Sequence, residues 1–116
     1  MDLSSMVELT RQQMQTMERL LEAGFRPITI LPYENALCLK KGDCAAVLAP
    51  VPNGGLKVLA PPSYIVAGNL SVKVKRSSGD LFVWKNNEVE ATPDRLEKLE
   101  LFRRELIRIL ELPPQQ

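Results

Sequence analysis

From Phe25 to Val89 no stretch longer than seven residues lacks a proline, a glycine, an asparagine or a Ser-Ser pair. That spacing leaves no room for a crossover helix, which takes a dozen residues or more, so consecutive extended segments must turn back on one another and pair antiparallel. The extended candidates are 28–31, 36–40, 44–49, 56–60, 64–67, 70–76, 81–85 and 88–90. Their punctuation has a physical basis. Pro32 and Asn35 bracket one corner, Lys41-Gly42-Asp43 forms the next, and Pro50 to Gly55 a longer one. Ser77 to Asp80 reads as a four-residue hairpin loop, and Asn86-Asn87 as a two-residue turn, because asparagine tolerates positive φ. Leu70, Val72 and Val74 alternate with Ser71, Lys73 and Lys75, the mark of a strand with one solvated face. Pro61-Pro62 cannot sit in a regular central strand and marks an edge, a kink or a corner.

Helical patterns flank this middle. Over about residues 3–23, Leu3, Val7, Thr10, Met14, Met17 and Leu21 recur at three- and four-residue steps, broadened by Met6 and Leu20. Ser4 or Ser5 can cap the start, with Glu8 completing a capping box, and Gly24 supplies a left-handed stop. Over about 93–111, Thr92 suits the N-cap, Pro93 the first helical position and Asp94 the positive helix end. The apolar face there is Leu96, Leu99, Phe102, Leu106, Ile109 and Leu110, with Asp94–Lys98 and Glu100–Arg104 as outer acid-before-base pairs. Pro113-Pro114 ends the pattern, and the 113–116 tail is expected to fray.

Residues 1–116 therefore read as a single α+β domain: N-terminal helix, antiparallel meander of about five to seven strands over 28–90, C-terminal helix. Each helix has one apolar stripe, so the economical packing is two layers with both helices on one sheet face. A small curled barrel closed by the C-terminal helix is the alternative. Strands followed by a capping C-terminal helix are similar in layout to pleckstrin-homology-like domains, a similarity of topology.

The chain has no histidine. This excludes Ser-His-Asp and Cys-His catalysis and any imidazole metal site. Cys38 and Cys44 alone cannot complete a four-ligand zinc site, and their five-residue separation is not C-x-x-C. A two-residue turn at Lys41-Gly42 puts them on opposite faces, whereas a three- or five-residue loop would bring them opposite one another; reduced thiols are expected. Gly54-Gly55 lacks the Gly-Lys-Ser/Thr ending of a phosphate loop, and Glu88 and Glu90 flank an exposed turn rather than a cleft. No catalytic residue, metal or cofactor is expected, and the chain reads as non-enzymatic. The start Met1-Asp2-Leu3-Ser4-Ser5 lacks a basic signal region, and no apolar run approaches the ~20 residues of a membrane helix. A cytoplasmic protein without membrane association is the expectation.

The formal charge of +1 conceals an uneven distribution: residues 35–87 hold seven basic side chains against two acidic ones. Lys57, Lys73, Lys75, Arg76 and Lys85, with Trp84, Phe82 or Tyr64 for base stacking, are therefore candidates for a nucleic-acid or polyanion surface. Solvated lysines also protect strand edges against pairing with other chains. Met6, Met14 and Met17 form an adaptable apolar stripe, suited either to a core or to a protein partner. The leading expectation is a small interaction module that binds a protein partner or itself, possible as a homodimer. Polyanion binding and small-molecule binding are the alternatives.

Overall fold

A computed structural model of the chain describes residues 9–31, 33 and 35–113. The elements are α1 (Arg11–Glu22), β1 (Arg26–Pro27), β2 (Leu37–Lys41), β3 (Cys44–Pro50), β4 (Leu56–Val66), β5 (Asn69–Leu70), β6 (Val72–Arg76), β7 (Gly79–Trp84), β8 (Asn87–Glu90) and α2 (Pro93–Leu110). Strands β1 to β5 form one sheet in chain order and β6 to β8 a second. Every pairing is antiparallel. The fold is α+β as expected, and the sheets do not close into a barrel.

The central strand β3 is buried on both faces, with Cys44 to Leu48 all inaccessible, which is why its sequence is a continuous apolar run rather than an alternation. One face, through Leu39, Cys44, Ala46 and Leu48, meets Leu20 of α1, Phe25, and Phe102, Leu106 and Ile109 of α2. The second sheet joins the same core through Phe82, whose ring stacks on Tyr64 of β4 at 4.8 Å. The opposite face, through Cys38, Ala45 and Val47, is covered by Ile30 with Ile28, Tyr33 and Ala36.

That cover corrects one expected strand. Residues 28–31 form no strand; beyond β1 the chain leaves the ladder and lays Ile30 across the sheet. The crossing is held by Ile28 N–H to Cys38 O at 3.0 Å and Tyr33 N–H to Ile30 O at 2.7 Å. Its apolar alternation reads like a strand because one side of it is buried.

The first helix also differs from expectation. It begins at Arg11, after a capping box in which Thr10 Oγ1 accepts from Gln13 N–H while Gln13 Oε1 accepts from Thr10 N–H. Ser4, Ser5, Glu8 and Met6 lie outside the described residues. The inward face is Gln13, Thr16 and Leu20, one position away from the expected stripe. Two polar side chains can be buried because each is satisfied: Thr16 Oγ1 donates to Gln12 O, and Gln13 Nε2 reaches the carbonyls of Val51, Gly54 and Gly55 at 3.0–3.2 Å. Gly24, at φ +101°, closes the helix as anticipated, with Gly24 N–H to Leu21 O and Phe25 N–H to Leu20 O forming a Schellman stop.

Two hairpin loops fall inside the segments the sequence marks, and the third turns one residue earlier. The loops are Gly42-Asp43, Ser77-Ser78 and Lys85-Asn86. Glycine at positive φ sets two of them, entering the first loop as Gly42 (φ +63°) and closing the second as Gly79 (φ +124°). Strand β4 runs unbroken through Pro61-Pro62, since the register slips between Ala45↔Ser63 and Val47↔Ala60 and the prolines occupy the bulge. Helix α2 follows the sequence closely: Thr92 Oγ1 accepts from Arg95 N–H, and the Asp94–Lys98 and Glu100–Arg104 pairs form at 3.4 and 3.0 Å.

Candidate functional site

The β2–β3 hairpin and α2 enclose a groove of about 650 Å³, within the range of sites that take small molecules. Hairpin register builds one wall. Lys41 pairs with Cys44 across the Gly42-Asp43 turn, and Cys44 pairs with Tyr64 on the next strand, so all three side chains emerge on one face. Ile65 N–H donates to Asp43 O at 2.8 Å and ties the turn to β4. The facing wall is one stripe of α2, in which Lys98, Leu101, Phe102 and Glu105 follow three- and four-residue steps. Lys41 Nζ bridges the walls to Glu105 at 2.5 Å and lies 5.5 Å from the centre of the Phe25 ring.

At the floor, Tyr64 is 4% exposed and its hydroxyl has no hydrogen-bond partner. A buried hydroxyl without a partner forfeits the hydrogen bonds it would make in water, a cost of about 1–3 kcal/mol. Burial, reinforced by neighbouring Cys44 and Asp43, pushes the phenol above its ordinary range and keeps it a neutral donor at physiological pH. Burial likewise pushes the Cys44 thiol up to about 11, with Asp43 adding to the effect. Cys44 is therefore a protonated thiol rather than a nucleophile at neutral pH. Lys98 is held charged chiefly by its hydrogen bond to Asp94. The groove thus sets the charged side chains of Lys41, Asp43, Lys98 and Glu105 beside an apolar surface at Leu101 and Phe102.

The sequence candidates are scattered by comparison. Lys73 and Lys75 share one face of the second sheet, whereas Arg76 falls on the other and pairs with Glu88 at 3.0 Å. Lys85 sits at the β7–β8 turn with its ammonium 5.4 Å from the Trp84 ring, and Lys57 belongs to the first sheet. Trp84 is half-buried against the core and borders a second, apolar groove with Pro61, Pro62 and Tyr33. Met17 packs on the core, whereas Met14 is 52% exposed. Cys38 and Cys44 are free thiols on opposite faces of their hairpin, and Cys38 Sγ donates to Tyr33 O.

Sequence marked Tyr64 only as a stacking ring and Lys98 only as the outer partner of Asp94, because Tyr64, Lys98 and Asp43 come from three segments that only the fold brings together. The available signal was a tyrosine at a core-facing strand position, an apolar ring with a polar tip that needs a partner when buried. Among the described residues no group of His, Cys, Asp and Glu is placed to hold a metal ion, and no helix is long and apolar enough to cross a membrane. The chain matches no known protein family, no curated protein and no solved structure.

Proposed function

We propose that this chain is a small-molecule-binding domain whose site is the groove between the β2–β3 hairpin and α2. The single observation behind this reading is Tyr64, which lines the groove and whose buried hydroxyl has no hydrogen-bond partner in the protein. Phenylalanine at this position would carry no such cost, so a tyrosine here makes sense if a ligand completes its bonding. The experiment is amide NMR against a diverse set of small molecules, with Tyr64→Phe as the control. Binders should shift the resonances of Asp43, Cys44, Tyr64 and Lys98 together. Tyr64→Phe should fold with equal or greater stability yet lose about tenfold in affinity, the worth of one hydrogen bond. A set that leaves all four resonances unmoved, or a Tyr64→Phe protein that is destabilised, overturns the reading.

Self-association is the second reading, supported by a separate observation. Arg11, Met14 and Glu18 line one shallow patch of α1, and Leu21 continues the same side, 38% exposed. The patch is self-complementary: two antiparallel copies centred on Met14 would set Arg11 of each against Glu18 of the other, as a two-fold interface requires.

A further inference from the structure

Successive residues of β4 face opposite ways, so Tyr64 borders the groove described above while Ser63 borders the second one. We infer that this second groove, about 410 Å³ in volume, binds a neutral aromatic molecule through one hydroxyl or ring N–H that donates to Ser63 Oγ. Occupancy of this site does not depend on the first groove being one.

The serine protons select a donor ligand. Ser71 lies where the chain passes from the first sheet to the second, and Tyr64 O accepts both its N–H at 3.0 Å and its hydroxyl at 2.7 Å. With that proton committed, the 3.1 Å contact between Ser63 Oγ and Ser71 Oγ takes its proton from Ser63. A serine hydroxyl has a single proton and two lone pairs. Both protons of the pair are thus spent, and the pair offers a ligand only lone pairs. Ser63 and Ser71 are the buried polar residues of the lining, 7% and 4% exposed, and a hydrogen bond counts for most where water is scarce.

Charge and shape narrow the class. An ammonium would also donate, but Lys73 is the one charged residue bordering the groove among the described residues, and it repels a cation. The donor is therefore neutral. Trp84, Tyr33, Pro61 and Pro62 give the groove flat, rigid walls, which suit a planar ring. Leu31 and Val72 at its border are 54% and 64% exposed, apolar surface that such a ring would cover.

The test titrates one ring system in three forms, 2-naphthol, 2-methoxynaphthalene and 2-naphthylmethylamine, into the full chain at neutral pH. Trp84 is the one tryptophan of the chain, so its indole N–H resonance reports the second groove, while Asp43 and Lys98 report the first. The naphthol should move Trp84 and leave Asp43 and Lys98 in place. It should bind about fivefold more tightly than its methyl ether, the worth of one net hydrogen bond, and the amine should bind most weakly. Ser63→Ala should bring the naphthol down to the affinity of the ether and leave the ether unchanged. Lys73→Met, at an exposed position, should strengthen the amine about threefold and leave the naphthol unchanged. The comparison of the three probes on the unaltered chain needs no variant, so it decides the matter even where Ser63→Ala fails to fold. Equal binding of naphthol and ether, an amine that binds most tightly, a naphthol preference that survives Ser63→Ala, or a Trp84 resonance unmoved by all three probes overturns the inference.

Discussion

At the scale of single residues, Tyr64 and Cys44 are neighbours across one rung of the ladder, both pushed toward their neutral forms by the same buried surroundings. For Cys44 this has a consequence for stability. Once unfolded, the thiol titrates near its ordinary 9.0, whereas in the fold it titrates at about 11. The folded form therefore holds its proton more tightly, so its contribution is complete below pH 9 and is lost as pH rises through 11. Two units correspond to on the order of 3 kcal/mol. Urea unfolding from pH 8.5 to 11 should show that decline, and Cys44→Ala should flatten it; an unchanged slope would mean the thiol is not desolvated. The composition alone left two cysteines with open geometry. Their faces were settled when the turn proved to be Gly42-Asp43 rather than Lys41-Gly42, and both registers separate the thiols, because shifting a two-residue loop by one position alters partners without changing the parity of either residue relative to the other.

At the scale of elements, the end helices show where sequence patterns suffice and where they do not. Helix α2 was legible almost to the residue, since Thr92, Pro93 and Asp94 mark its start and its apolar face is unbroken. Helix α1 was legible in kind and in its Gly24 stop, but its inward face was not. Hydrophobicity favours burying Met14 and Leu21, yet the fold buries Gln13 and Thr16 instead. The reason is a long-range bond set that periodicity cannot contain: the Gln13 amide donates to three carbonyls of the 51–55 loop, about forty residues away. Gln13→Ala should cost about 2 kcal/mol and speed amide exchange in the 51–55 loop specifically. Gln13→Glu should be worse at neutral pH than in acid, because an ionised carboxylate cannot donate to those carbonyls. Exchange that rises evenly over the whole chain would show that Gln13 does not act as a local clamp.

At the scale of the whole molecule, the two sheets and two helices share one core, with Phe82 on Tyr64 and Phe25 on Phe102 at 5.3 Å as its aromatic joints. The outer side of α1 lies outside that core, and there the self-association reading can be tested. Sedimentation should show mass rising with concentration. Arg11→Glu or Glu18→Arg alone should suppress it, and the two together should restore it, since reversing both charges restores the complementarity. A monomer at high micromolar concentration, or a double variant no better than either single one, would dispose of the interface.

The primary structure was enough to establish the α+β class, the antiparallel pairing, the two end helices and the absence of imidazole chemistry. Each of these follows from local information: turn residues every few positions, periodicity within a segment, and composition. The tertiary structure alone decided which face of α1 points inward, that residues 28–31 cross the sheet rather than join it, and that Asp43, Tyr64 and Lys98 border one groove. These depend on contacts between segments tens of residues apart, where a buried polar atom finds its partner, or in the case of Tyr64 lacks one.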